Sequence, residues 1–118
     1  MSARDVLKLM KSKEIEYLDL RFTDPRGKLQ HLTMDSTIVD EEMLNDGVFF
    51  DGSSIAGWKA INESDMILKP DLSRKVIDPY TSHNTLILFC DILDAVKRNP
   101  YERDPRGIAK KNMKILLI

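Results

Sequence analysis

Residues 85–92, Thr-Leu-Ile-Leu-Phe-Cys-Asp-Ile, form the most continuously apolar run in the chain. A run of that length predicts a strand covered on both faces, and such a strand lies in the interior of a sheet. The remaining elements must therefore be arranged around a central strand. With 118 residues, 42% of them hydrophobic and 31% charged, there is room for one globular domain with a modest core. Eighteen basic against nineteen acidic residues leave a formal charge of −1, which gives no electrostatic reason to expect nucleic acid as a partner. Cys90, the only cysteine, sits inside the apolar run and reads as a small core residue rather than half of a disulfide. No apolar run approaches the roughly eighteen residues that a membrane-spanning helix needs. The start Met-Ser-Ala-Arg-Asp lacks the basic and apolar regions of a signal peptide, so the expected setting is the cytoplasm, with no membrane partner.

Ser2 followed by Asp5 is a capping-box pattern, and Val6, Leu9 and Met10 recur at helical spacing, so residues 3–13 are predicted to form an amphipathic helix. From Ile15 the period changes: Leu18, Leu20 and Phe22 alternate with Tyr17, Asp19 and Arg21, the pattern of a half-buried strand. Thr23-Asp24-Pro25-Arg26-Gly27 is a turn, and a partner strand over residues 28–35 completes a hairpin, carrying Leu29, Leu32 and Met34 in imperfect alternation. Asp40-Glu41-Glu42 ahead of Met43 and Leu44 suits a short helix that Asn45-Asp46-Gly47 ends. Two short strands are expected at 66–69 and 75–77, closed by Pro70 and by Asp78-Pro79, both at sheet margins. Residues 94–103 read as a linker. Asp104-Pro105 then starts a second helix, with Ala109, Met113, Leu116 and Leu117 along one side. The result is a small α+β domain with a mixed sheet and an N-terminal helix packed on it.

Residues 48–65 lack helical or strand periodicity in their middle, yet contain the only Trp, two of five glycines and three acidic residues. Long connections of this kind are uncommon in compact domains unless functional or disordered, and Phe49, Phe50, Ile55, Trp58 and Ile61 argue for an ordered working loop. Asp51 stands out in it. A carboxylate ahead of Gly52-Ser53-Ser54 can attract a small cation or take a proton, and the same residues also make an ordinary Asx turn. Glu63 and Asp65 point to one side only in an extended segment, and acids so spaced are equally at home on a solvated loop. Trp58 with Lys59 can cover a ligand or simply anchor the loop. His31 and His83 lie far apart in sequence with no carboxylate or Cys at ligand spacing, so no metal site is predicted. The six methionines are scattered and read as core filler.

Taken as a unit, Phe50-Asp51-Gly52-Ser53-Ser54-Ile55, Gly57-Trp58-Lys59 and Asn62-Glu63-Ser64-Asp65-Met66 resemble the N-terminal domain of bacterial type I glutamine synthetases. The resemblance extends over roughly residues 3–111, through Tyr17-Leu18-Asp19-Leu20-Arg21-Phe22-Thr23-Asp24, Gly27-Lys28, Val76-Ile77-Asp78-Pro79, Cys90-Asp91-Ile92 and Tyr101 with Arg103-Asp104-Pro105-Arg106. It implies a β-grasp domain over residues 1–103, with 104–118 beginning a helix toward a catalytic domain. It also implies the family's reaction, in which ATP phosphorylates glutamate and ammonia displaces the phosphate to give glutamine. In that scheme Asp51 is the catalytic residue, and Asp51 with Ser54 binds ammonium in the active site of the neighbouring subunit of a dodecamer of two stacked hexameric rings.

The family's ligands for Mg2+ or Mn2+ and its ATP and glutamate contacts belong to the larger C-terminal domain. No metal or cofactor is therefore expected on this segment, and the 118 residues by themselves are expected to be inactive. Asn112-Met113-Lys114-Ile115-Leu116-Leu117-Ile118 departs from the family's usual continuation. Two alternative readings accompany this one: a non-catalytic interaction module that modulates ring assembly, and a remnant that does not fold.

Overall fold

The computed structural model describes residues 1–24, 27–51, 65–95, 98, 100 and 104–116, excepting the side chains of 51, 65 and 113–116. In chain order the elements are α1 (Ala3–Ser12), β1 (Tyr17–Thr23), β2 (Leu29–Asp35), a 3-10 turn (Ser36–Ile38), α2 (Glu41–Asp46), β3 (Val48–Asp51), β4 (Asp65–Ile77), β5 (Thr85–Asp94) and α3 (Pro105–Leu116).

The capping box opens α1. The Ser2 hydroxyl accepts from the Asp5 amide at 3.2 Å, and the Asp5 carboxylate accepts from the Ser2 N–H at 3.1 Å. These bonds satisfy two donors that the first helical turn leaves free, and they hold the Asp5 carboxyl below its ordinary pKa. The β1–β2 hairpin is closed by Asp24, a buried carboxylate that accepts from the Lys28 amide at 2.9 Å and from Gln30 Nε2 at 3.1 Å. Asp40 caps α2 by accepting from the Met43 amide at 2.8 Å, and Gly47 ends the helix at φ 91° and ψ −178°. That region of backbone space is open essentially to glycine alone.

The five strands form one mixed sheet in the order β2-β1-β5-β4-β3. β5 lies in the middle, parallel to β1 and antiparallel to β4, as its apolar run requires. Directly paired residues share a face, so the register sorts the sheet's side chains into two sets. Leu18, Leu20, Phe22, Met34, Val48, Phe50, Met66, Leu68, Leu86, Leu88, Cys90 and Ile92 belong to the first, which packs with Ala3, Val6 and Met10 of α1 and Leu44 of α2. Leu18, Leu20, Leu86, Leu88 and Ile92 are 0% exposed. Each such side chain stabilises the fold by about 1.5–3 kcal/mol of burial. Burial also pushes the Cys90 thiol well above its ordinary pKa, leaving it an inert core residue.

Two sequence expectations are corrected. The segments 66–69 and 75–77 belong to one strand, β4, with a register shift between Pro70 and Lys75. Pro70 lies two residues past Leu68, the last β4 residue paired with β3, so among the described strands its missing N–H costs no ladder bond to β3. Residues 48–51 and 65 are strand rather than loop: β3 and β4 are the arms of an antiparallel pair, and residues 52–64 lie outside the described residues. In β2 only Met34 is buried, whereas Leu29 and Leu32 are 50% and 39% exposed. Leu29 pairs with Thr23 on the second face and Leu32 lies on an edge strand, so neither is enclosed by a layer. Most of the predicted linker, 94–103, also lies outside the described residues.

Candidate functional site

Asp51 is the last residue of β3, and its backbone is placed by the ladder Val48↔Leu68, Phe49↔Ile67, Phe50↔Met66, Asp51↔Asp65. The apolar partners hold this ladder: Val48 and Phe50 pack on the core, and the Phe50 ring meets Phe22 of β1 at 5.5 Å between centroids, tilted by 42°. The register thus sets the backbones of two acidic residues opposite one another at the last described rung of this ladder. Sequence reading grouped Asp65 with Glu63; the sheet pairs it with Asp51 instead. Ser54, Glu63, Trp58 and Lys59 lie outside the described residues.

The second face of the sheet carries a polar cleft of about 440 Å³. Its floor is Asp19, 5% exposed, which accepts from Arg21 Nε at 2.9 Å, from the Thr33 hydroxyl at 3.0 Å and from His31 Nδ1 at 2.9 Å. At the other end His83 Nδ1 lies 2.8 Å from Glu16 and meets the Tyr17 ring edge-on at 5.6 Å. Sequence separation hid this grouping, because His31 reaches Asp19 across the β1–β2 pair and both histidines line one cleft. Each imidazole thus has a carboxylate partner that sequence spacing does not reveal. Every one of these charged groups already has a partner, so the arrangement reads as a satisfied polar network covering a sheet face.

A third polar cluster ties α3 to the sheet. Asp104, 1% exposed, accepts from the Ile92 amide of β5 at 3.0 Å and from the Arg106 amide at 3.2 Å. Burial raises its pKa, against the lowering effect of those two amides. Arg106 donates to Asp71 of β4 at 2.5 Å and to Asp91 of β5 at 2.6 Å, and Lys110 reaches Asp91 at 2.7 Å. Asp71 is held well below the ordinary carboxylate range, first by the Ser73 hydroxyl and then by Arg106. Among the described residues no group of three or more His, Cys, Asp or Glu comes together in a way that suits a metal ion. No described helix is long and apolar enough to cross a membrane.

The family model of the glutamine synthetase β-grasp domain matches residues 14–95. The chain belongs to that family. Glutamine synthetase of Rhizobium meliloti (strain 1021) is 59% identical to it over 110 residues, which are 93% of this chain and 24% of the relative. The glutamine synthetase of Azorhizobium caulinodans is 57% identical over 115 residues, 98% of this chain and 24% of the relative. That of Salmonella typhimurium is 52% identical over 111 residues, 94% of this chain and 24% of the relative. The chain therefore spans about a quarter of the length of these glutamine synthetases. A cryo-EM structure of Plasmodium falciparum glutamine synthetase shares the fold, with a TM-score of 0.86 at 24% identity over 98% of this chain and 22% of that one. The expected β-grasp, α+β architecture is what the glutamine synthetase domain and the mixed sheet show.

Proposed function

We propose that this β-grasp segment works as the N-terminal domain, residues 1–103, of a glutamine synthetase, with 104–118 leading toward the catalytic part. In this reading it supplies Asp51, with Ser54 beside it, to receive ammonium in the active site of an adjacent subunit of a ring-shaped assembly in the cytoplasm. The chemistry calls for such a group. Ammonium has no lone pair with which to attack an acyl phosphate until a base removes a proton, and a carboxylate both attracts the cation and can accept that proton. The observation that carries the reading is the Asp51↔Asp65 pairing at the end of β3 and β4. The ladder sets the Asp51 backbone on paired strands, and a two-stranded ladder is a better platform for such a group than a free loop.

Among the described residues no cluster suits a divalent metal, and in this reading ATP, Mg2+ or Mn2+ and glutamate are held by the remainder of the full-length enzyme. No step assigned to this segment runs through them. The reading is tested in a full-length Rhizobium meliloti glutamine synthetase carrying this chain in place of its matching segment. Asp51→Ala is expected to lower kcat/KM for ammonium by about 10²–10⁴-fold, the usual worth of a positioned acid–base group, while KM for ATP and glutamate stays within about threefold. Near-normal ammonium kinetics in that variant would sink the proposal.

A further inference from the structure

We infer that Arg106 is a positioning residue, acting through β4 on the end of the ladder that holds Asp51; the inference rests on the ammonium-binding reading above. Three elements meet at this side chain. It leaves α3, donates to Asp91 of β5 and donates to Asp71 in the irregular stretch of β4 between Pro70 and Lys75. That stretch is the only part of β4 out of register with β5, so the ladder itself does not fix it. β4 is continuous from there to Asp65, the residue paired with Asp51. A guanidinium is planar and forked, so two carboxylates can be held at once in a defined geometry. Arg106 is 24% exposed in its side chain, shielded enough for those bonds to resist competition from water.

The backbone beneath Arg106 is fixed as well. β1 pairs with β5 only as far as Phe89, and beyond that point the Ile92 amide donates to the Asp104 carboxylate. The same carboxylate accepts from the Arg106 amide, so Arg106 is tied to β5 by its main chain and to β4 by its side chain. Without the guanidinium, Asp71 and Asp91 carry like charge on adjacent strands, and the out-of-register stretch of β4 loses its link to α3. The expected result is a shift at the Asp51–Asp65 end of the β3–β4 ladder, with the part of the core under β1 and β5 intact.

The experiment has two arms. In the 118-residue chain, amide hydrogen exchange of Ile92 and residues 106–112 is followed in Arg106→Gln and, should that variant fold poorly, in Asp71→Asn. Exchange is expected to quicken about tenfold there and at Met66–Leu68, with Leu20 and Leu88 unchanged, as for local opening without global unfolding. In the full-length chimera the same substitutions are expected to raise ammonium KM about tenfold at unchanged glutamate KM, the size of effect a small displacement produces, and Arg106→Lys is expected to recover part of it. Faster exchange with unchanged ammonium KM overturns the positioning role, and unchanged exchange overturns the clamp itself. If instead Asp51→Ala leaves ammonium kinetics normal, it is the ammonium reading that fails, while the exchange arm still reports on the clamp.

Discussion

Replacing Asp104 tests whether one buried carboxylate fastens α3 to the sheet. Asp104→Ala removes the acceptor of two amides, Ile92 at 3.0 Å and Arg106 at 3.2 Å. Loss of a helix cap costs about 1 kcal/mol, and a buried N–H left without an acceptor costs about 1–3 kcal/mol. The sum, about 2–4 kcal/mol, is a large part of the total of about 6–18 kcal/mol typical of 118 residues. It corresponds to a fall in Tm of about 10–20 °C at the sensitivity of a domain this size. Asp104→Asn keeps one acceptor oxygen and sheds the buried charge, so its loss should fall well short of that of Ala.

The pH dependence gives a second handle on the same residue. Because burial raises the Asp104 pKa from 3.8, the native state holds this proton more tightly than the unfolded chain does. The stability it contributes therefore falls as pH rises from the ordinary carboxylate value through the raised native one, and is level above that. The wild-type minus Asp104→Asn difference, measured by urea unfolding at a series of pH values, should show that slope. An Ala variant within about 0.5 kcal/mol of wild type, the range of an inconsequential surface change, or a pH-independent difference for Asn, refutes the reasoning.

Two further substitutions bear on the fold that carries Asp51. Gly47→Ala places a Cβ 2.6 Å from Ile67 Cγ2 and from the Leu68 carbonyl at φ 91°, so β4 must move; thermal unfolding should show a loss of about 2–4 kcal/mol from strain and overpacking together. A Gly47→Ala protein as stable as wild type would rule out this close approach between the α2 terminus and β4. Leu88→Ala empties a 0% exposed site on the central strand, and urea unfolding should register about 2–5 kcal/mol of destabilisation without a change of slope. A loss below about 1 kcal/mol would mean that the site collapses or is not enclosed as described.

Local chemistry made much of this architecture readable. The capping box at Ser2, the short helix over Met43 and Leu44 and the β5 run each depend on residues close in sequence, and each forms as its residues predict. What was hidden depends on register between distant segments. Asp65 became the partner of Asp51 only through the β3–β4 ladder, and no local pattern marks residues 48–51 as a strand, because their partner lies beyond the long connection. His31 and His83 lie far apart in sequence, yet parallel pairing of β1 with β5 carries them into one cleft. Pro70 suggests a strand end at a position where, among the described strands, its missing N–H costs no ladder bond to β3. For the candidate site, residue type points to Asp51 and the family resemblance to Asp51 and Ser54; the pairing of Asp51 with Asp65 and the Arg106 bonds to β4 and β5 come only from the structure.

The parallel pairing of β1 with β5 also has a consequence in time. Tyr17 meets Thr85 across the sheet, sixty-eight positions later in the chain. At a synthesis rate of about 5–20 residues per second, β1 waits about 3–14 s for the strand that completes its inner edge. During that interval the β1–β2 hairpin and the β3–β4 pair have no common neighbour, and the side of β1 that β5 will fill is open to any strand that reaches it first. β5 is thus a keystone delivered last of the five strands, and crowded nascent chains of this sequence are most vulnerable to mispairing just before residue 85 emerges.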